Sequence, residues 1–179
     1  MNMYFVAIVL PPELNQKILK HKEYMFDHFG SQVGLKSPAH ITLIPPFWME
    51  AEKERQLLND LENVNYFQPF PIQTNHFSAF QPKTIFIALS PNEQLDQLKK
   101  LVDGFFQNNE QYKIKTDSRP FHPHITIATR DLHKKDFTEA WPHFAERKFE
   151  EEWTVKGISV LRHNKKKWDV IFTSQFQHL

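Results

Sequence analysis

The chain of 179 residues contains no cysteine and only four glycines. Without cysteine it forms no disulfide and has no thiol nucleophile, which fits a reducing compartment. The four glycines do not cluster into a glycine-rich phosphate loop, so neither P-loop nor Rossmann chemistry is expected.

The sequence also lacks a strong net charge and a long apolar run. A formal net charge of +1 argues against a protein that coats nucleic acid over its whole surface. The apolar run at residues 4–10 is too short to span a bilayer, and no signal-peptide pattern surrounds it. We therefore expect a cytoplasmic monomer without membrane contact. Two lysine-rich runs, His133-Lys134-Lys135 and Lys165-Lys166-Lys167, are candidates for local basic patches, although such runs are most often solvated turns.

The tripeptide His-Ile-Thr occurs twice, at His40–Thr42 and His124–Thr126. Each copy lies in an apolar run that predicts a strand and is entered through a proline, which places the motif at the start of that strand. Side chains two apart on a strand share a face, so each motif presents an imidazole beside a hydroxyl. Two such pairs facing each other can hold one phosphate. With ten histidines in the chain, a single copy would carry little weight.

The surrounding sequence repeats with an offset of about 80 residues. Each copy has a strand that ends at proline, an amphipathic helix, the His-Ile-Thr strand and a charged helix. The first helices are marked by Leu14, Ile18, Met25 and Phe29, and by Leu95, Leu98, Val102 and Phe105; the charged helices are Ala51 to Glu62 and Lys134 to Phe144. Two strands then follow, Pro71–Phe80 with Thr84–Leu89 and Thr154–Leu161 with Trp168–Thr173. We predict a duplicated α+β unit.

Two His-x-Thr strands in such a repeat resemble the two-histidine (2H) phosphoesterase superfamily over nearly the whole chain. Its members include RNA 2′,5′-ligase-like proteins, cyclic nucleotide phosphodiesterases and the YjcG group. The stretch Pro38–Leu43 with Phe47 is most similar to the YjcG group, and Phe121–Arg130 is similar to the ligase-like consensus. The resemblance implies one domain over residues 1–179, with repeats of about 1–80 and 81–179. It also implies a bilobal fold in which two antiparallel-rich sheets surround a central cleft about a pseudo-twofold axis, with the helices outside.

The resemblance further implies a phosphodiesterase that opens a 2′,3′-cyclic phosphate, at an RNA end or on a small nucleotide, to a 2′-phosphate. His40 and His124 would be the acid–base pair, because imidazole takes either proton role near neutral pH. Thr42 and Thr126 would donate hydrogen bonds to the phosphate oxygens. The partner would be a nucleotide or RNA terminus that carries the cyclic phosphate, and we expect no metal or other cofactor. Which histidine is the acid stays open.

Two further residues are candidates for substrate binding. Arg130 would contact phosphate or stack on a base, or else be a surface charge. Phe47 would stack on a nucleobase, or else belong to the core. A metal pair of His122 with His124 is disfavoured, because no motif supplies a third ligand. Two alternative functions remain, namely a noncatalytic module that binds nucleotides or RNA ends in the same cleft, and RNA 2′,5′-ligase-type activity.

Overall fold

The computed structural model describes residues 1–64, 67–115 and 118–177. These residues form eight strands and four α-helices, in the predicted order except that one predicted strand is two. The strands are β1 (Asn2–Val9), β2 (His40–Met49), β3 (Phe70–Phe80), β4 (Thr84–Leu89), β5 (His124–Ala128), β6 (Glu152–Val155), β7 (Gly157–His163) and β8 (Trp168–Gln175). The helices are α1 (Pro12–Phe29), α2 (Glu54–Glu62), α3 (Glu93–Asn108) and α4 (Lys134–Ala145), with short 3₁₀ helices at Val33–Lys36, Ala51–Lys53 and Glu110–Tyr112.

The strands form two antiparallel sheets of four. The first sheet has the order β2-β1-β7-β8 and the second the order β5-β4-β3-β6. Each sheet therefore combines strands from both repeats, since β7 and β8 join β1 in the first and β3 joins β4 in the second. The predicted α+β fold with two antiparallel sheets is confirmed. Within the described residues, no helix has both the length and the apolar character needed to cross a membrane.

One predicted strand, Thr154–Leu161, is wrong because it is two strands in different sheets. β6 pairs with β3 in the second sheet, whereas β7 pairs with β1 and β8 in the first. The change of sheet occurs at Lys156, between the two strands. Gly157 follows directly, and a Cβ there would collide with the carbonyl oxygen of Ser174 on β8. A glycine inside a strand pattern commonly marks such a close backbone approach.

The sheets and helices enclose a continuous apolar core. Its largest fully buried side chains include Phe70, Phe86, Phe106 and Phe144. The helix α1 begins with a proline in its first turn and ends at Gly30, whose φ of 67° is the left-handed conformation that glycine adopts without strain. In α4 the helix continues past Pro142 to Ala145, so this proline lies in the last turn and does not end the helix.

The two His-Ile-Thr strands lie at the edges of their sheets and approach each other. β2 is the edge of the first sheet and β5 the edge of the second, and Cα atoms of the two strands come within 8 Å. The 3₁₀ helix Val33–Lys36 packs closely against β5. This approach requires glycine at position 34, because a Cβ on Gly34 would collide with the carbonyl oxygen of Ile127. This edge-to-edge meeting brings the two motifs to a common site.

Candidate active site

Both motifs begin their strands, as predicted, and they are built alike. The isoleucine of each motif is fully buried, whereas the flanking histidine and threonine are half-buried on the opposite face. This alternation is the period of two that a strand imposes. Val9 of β1 pairs with His40 and Ala88 of β4 pairs with His124, so the two histidines have equivalent places in the two sheets.

A cleft of about 640 Å³ opens between the sheets. His40 and Thr42 line it from one sheet and Thr126 from the other. His124 is not among the side chains that line the cleft; its ring packs against Phe80 and Phe86, with centroid distances of 5.1 Å to each, and its charge acts on His40. The cleft thus collects side chains of both motifs, and its volume is in the range of small-molecule sites.

The two imidazoles make the same backbone contact. Nδ1 of His40 lies 2.7 Å from the carbonyl oxygen of Pro38, and Nδ1 of His124 lies 2.7 Å from that of His122. A carbonyl oxygen only accepts, so Nδ1 carries the hydrogen in both rings. In the neutral ring Nε2 is then the free nitrogen that can take or return a proton. The same orientation in both motifs is what a pair of proton-transfer groups requires.

Burial favours the neutral form of both histidines. It lowers the pKa of His40 to about 4, with further lowering by the positive charges of Lys22 and His124, against a raising contribution from the Pro38 carbonyl. Burial also lowers the pKa of His124, aided by His122 and opposed by the hydrogen bond to the His122 carbonyl. An anionic phosphate bound between the rings would raise both pKa values, because it stabilises the charged imidazolium.

A buried lysine lies behind the first motif. Lys22, on the core-facing side of α1, is only 3% exposed, and its Nζ donates to the carbonyl oxygen of Ser37 at 3.0 Å. Burial lowers its pKa to about 8. No carboxylate of the described residues lies within ion-pair distance of it, so its charge acts on the neighbouring backbone and on His40.

The connection between α1 and β2 forms one wall of the cleft and is anchored on Asp131. Val33, Lys36 and Ser37 line the cleft. The Asp131 carboxylate accepts hydrogen bonds from the Ser31 hydroxyl at 2.9 Å and from two backbone N–H groups, those of Gln32 at 2.8 Å and Val33 at 3.1 Å. These bonds join a loop of the first repeat to the end of β5 in the second. They also occupy the only carboxylate among the described residues that line the cleft.

The remaining charges at the cleft are positive or titratable. Arg130 and Lys36 are exposed and line the cleft, and within residues 1–64, 67–115 and 118–177 neither forms an ion pair with a carboxylate. Arg162, by contrast, is held by Glu54, whose oxygens lie 2.8 and 2.9 Å from its Nη1. Arg130 is therefore available to an anion, and Arg162 is not.

Aromatic rings form a second wall of the cleft, and Phe47 is not among them. The rings that line it are Phe5 and Trp168. Phe47 packs against Tyr4 and Phe106, at centroid distances of 6.0 and 6.1 Å. This position corrects the prediction that it stacks on a base and agrees with the alternative that it belongs to the core.

The structure does not complete a metal site around His122. Its ring centroid lies 6.3 Å from that of His124, and it packs edge-on against Phe80 at 5.0 Å. Among the residues that the structure describes, no three His, Asp or Glu side chains are grouped to hold a metal ion.

Sequence reasoning missed Lys22, Lys36, Asp131, Phe5 and Trp168. Lys22 lies in the apolar stripe of α1, and a search for periodic apolar residues does not select a lysine. Asp131 adjoins Arg130, so a scan of the residues after the second motif would have included it. The rings of Phe5 and Trp168 meet only through the pairing of β1 with β7 and of β7 with β8, which no local pattern indicates.

Comparison with known proteins finds one family model and several solved structures that match most of the chain. The model of the 2'-5' RNA ligase superfamily matches residues 11–167. The structure is similar to that of TT0787 of Thermus thermophilus, with a TM-score of 0.70 and 21% identity over 99% of this chain and 100% of that one. It is also similar to E. coli LigT in complex with 3'-AMP, with a TM-score of 0.67 and 18% identity over 99% of both chains.

A third solved structure, described as a phosphoesterase, has a TM-score of 0.66 and 18% identity over 99% of both chains. At these identities the likeness shows the fold. E. coli LigT has also been crystallised with NADP+, ATP and phosphate. No curated protein matches this sequence significantly. The match over most of the chain confirms the predicted resemblance to the 2H phosphoesterases.

Proposed function

The chain belongs to the 2'-5' RNA ligase superfamily, and from this premise we propose that it is a metal-independent phosphodiesterase. It opens a 2′,3′-cyclic phosphate, at an RNA end or on a small nucleotide, and leaves a 2′-phosphate. The observation that carries the proposal is the cleft into which His40, Thr42 and Thr126 converge, beside His124, with Nδ1 of both imidazoles held on the backbone. The nucleotides bound by E. coli LigT support a nucleotide as ligand.

The reaction needs two proton transfers. One imidazole takes a proton from water as the water oxygen bonds to phosphorus, and the bond from phosphorus to the ribose 3′ oxygen breaks. The other imidazole gives its Nε2 proton to that departing oxygen, so the product has a 3′-hydroxyl and a 2′-phosphate. In this scheme the side chains transfer both protons, and no step requires a metal ion.

His40 is the base and His124 the acid in this proposal. The surroundings of His40 oppose its protonation most strongly, through burial and through the charges of Lys22 and His124. No lysine charge contributes to the lowered pKa of His124. The bound phosphate stabilises its protonated form. The neutral Nε2 of His40 then accepts the proton of the attacking water.

Hydroxyl and guanidinium groups would stabilise the charge that builds on the phosphate. Thr42 and Thr126 face the cleft from opposite sheets and would each donate to a nonbridging oxygen. Arg130 is free of ion pairs in the described chain and would contact phosphate at the mouth of the cleft. Lys36 would add a second positive charge on the facing loop.

The test measures hydrolysis of nucleoside 2′,3′-cyclic monophosphates and of oligoribonucleotides with a cyclic phosphate end, in excess chelator. We expect a 2′-phosphate product, and a loss of roughly 10²–10⁴-fold in kcat for His40→Ala and for His124→Ala. His28→Ala, which alters an exposed histidine of α1 outside the cleft, serves as the control and should retain wild-type activity.

A second substrate tests the acid–base assignment. A nucleoside p-nitrophenyl phosphodiester has a leaving group that departs without protonation, so its hydrolysis should depend on His40 far more than on His124. Equal loss in both variants would reject the assignment. Folded wild type that binds nucleotides but hydrolyses none of these substrates would support the noncatalytic binding module instead.

A further inference from the structure

The turn between β7 and β8 displays three consecutive lysines at one end of the cleft. His163, the last residue of β7, and Trp168, the first of β8, both line the cleft. The lysine turn, residues Asn164 to Lys167, joins them, and its three lysine side chains are all exposed. The lysines are thus adjacent in the chain to two residues of the cleft wall.

The backbone of the lysine turn is held by its own hydrogen bonds. The Asn164 side-chain oxygen accepts from the backbone N–H groups of Lys166 at 3.0 Å and Lys167 at 2.9 Å. The Asn164 N–H donates to the carbonyl oxygen of Lys167 at 2.9 Å, and its side-chain amide donates to Asp169 at 2.7 Å. Because these bonds fix the backbone from which the lysines project, less backbone entropy is lost when a ligand binds.

Most of the positive charge on the lysine turn is uncompensated. Lys167 has one carboxylate at the limit of an ion pair, with its Nζ 3.9 Å from Asp169. Lys165 and Lys166 have no carboxylate within that distance in the described part of the chain. Three adjacent like charges repel one another, and a polyanion in contact with them relieves the repulsion.

A row of rings connects the lysine turn to the reaction site. The ring of His40 lies 4.8 Å from that of Phe5, the ring of Phe5 lies 4.6 Å from that of Trp168, and the ring of Trp168 lies 4.9 Å from that of His163. Phe5 is only 3% exposed and packs behind Trp168. The half-buried Trp168 and His163 are the rings that a base can reach, and we refer to these two as the ring wall. Aromatic side chains beside a line of positive charge are the usual platform for single-stranded nucleic acid.

Resting on the proposed function, we propose that the ring wall and the lysine turn form a subsite for the RNA chain that precedes the cyclic phosphate. The terminal phosphate lies between His40 and His124, the adjoining bases lie against the ring wall, and the upstream phosphates contact Lys165, Lys166 and Lys167. The preferred substrate is then a single-stranded oligoribonucleotide with a cyclic phosphate end, above a cyclic mononucleotide.

The experiment compares kcat/KM for a hexaribonucleotide that ends in 2′,3′-cyclic phosphate with kcat/KM for the matching cyclic mononucleotide, over a series of salt concentrations. The variant is Lys165→Ala, Lys166→Ala, Lys167→Ala in one chain. The matched control is Lys20→Ala, Lys100→Ala, Lys156→Ala, which removes three exposed lysines that do not line the cleft.

In the lysine-turn variant the ratio of the two kcat/KM values should fall at least about tenfold, because phosphate contacts dominate affinity for nucleic acid. For the oligonucleotide, the slope of log kcat/KM against the logarithm of the salt concentration should become shallower by about 2. Each lost phosphate contact changes this slope by ~0.7, and the variant loses three. The control should keep the wild-type ratio and slope. An unchanged ratio in the lysine-turn variant would overturn the proposal.

The subsite and the proposed function can fail separately. Fluorescence anisotropy with a labelled hexaribonucleotide that carries a 2′-phosphate measures binding without turnover. Suppose that the wild type hydrolyses neither substrate but binds this probe, and that the lysine-turn variant binds it at least about tenfold more weakly than the control does. The subsite is then supported, and the proposed reaction is wrong. If the wild type and both variants bind the probe equally, the subsite is wrong whatever the turnover.

Discussion

The two motif histidines share a sequence and a backbone contact but differ in their electrostatic surroundings. His40 has the lower pKa, about 4, through burial and the neighbouring Lys22 charge. His124 is also shifted downward, by burial first. Both rings are therefore neutral at pH 7 in the unligated protein. The state in which His124 is protonated and His40 is not occurs only below the ordinary histidine pKa of about 6.5.

This asymmetry predicts the pH dependence of the reaction. Because kcat/KM reports pKa values of the free enzyme, its maximum should lie below pH 6.5, between the pKa of His40 and that of His124. The maximum of kcat should lie at higher pH, since the bound phosphate raises both pKa values. Steady-state kinetics from pH 4 to 9 measure both profiles. A kcat/KM maximum above pH 7 would contradict the lowered pKa values of the two histidines.

Lys22 predicts an unusual effect on stability. Burial lowers its pKa from 10.5 to about 8, so between pH 8 and about 10.4 the unfolded chain binds more protons, and the free energy of unfolding rises with pH through that window. Below pH 8 the charged lysine costs stability, on the order of 3 kcal/mol, partly offset by its bond to Ser37. Lys22→Met should therefore raise the free energy of unfolding at pH 7, by about 1–3 kcal/mol.

Urea denaturation at pH 7 and pH 9.5 measures the effect of Lys22→Met. The variant should lack the rise between the two pH values that the wild type shows. Lys20→Met, an exposed lysine on the same helix, is the matched control and should follow the wild type. A lower stability of Lys22→Met at pH 7 would mean that the contacts of the ammonium outweigh its burial.

At the scale of elements, the 3₁₀ helix Val33–Lys36 depends on one glycine. A Cβ at Gly34 would strike the Ile127 carbonyl oxygen of β5, so Gly34→Ala should displace this cleft wall. We expect a loss of about 1–3 kcal/mol in the free energy of unfolding, together with lower kcat/KM.

Gly104, inside α3, supplies the matched control, because a Cβ at this position would have no atom within 4 Å. Gly104→Ala should raise stability by about 0.5–1 kcal/mol through helix propensity, with activity unchanged. Thermal denaturation and the cyclic-phosphate assay measure the pair. Equal effects of the two alanines would show that the 3₁₀ helix does not depend on contact with β5.

The elements were largely predictable because their signals are local. The His-Ile-Thr strands followed from alternation, and α4 was expected to start at Lys134 and does. The break at Gly157 was not predicted, since a change of sheet depends on which distant strand each segment joins. In α3 we expected Phe105 on the buried face, but the buried ring is Phe106 and Phe105 is half-buried. Helical periodicity locates the buried face only to within one residue.

The candidate site was predictable where its residues belong to a repeated motif or, like Arg130, follow one closely in the chain. His40, Thr42 and Thr126 meet at the cleft as a strand repeat indicates. Phe5 and Trp168 are strand residues of ordinary apolar type, and their position at the cleft depends on the pairing of β1 with β7, which joins segments nearly a chain length apart. Such long-range pairing leaves no signal in a local window.

For the whole molecule, the exchange of strands between the repeats leads us to propose that residues 1–179 are one domain. Each sheet needs strands of both repeats, so neither residues 1–80 nor 81–179 can complete a sheet alone. The intact chain should unfold in a single cooperative transition, and the separate halves should show no cooperative melting by circular dichroism. A half that folds alone would contradict the proposal.

The pairing of β1 with β7 also determines when the protein can become active during its synthesis. At about 5–20 residues per second, the ribosome makes β7 roughly 8–30 seconds after β1. Throughout that interval one edge of β1 has no partner, and an unpaired edge beside exposed apolar surface is prone to aggregation. The cleft acquires Trp168 only with the last strand, so a chain interrupted before β8 has the motifs and no complete site.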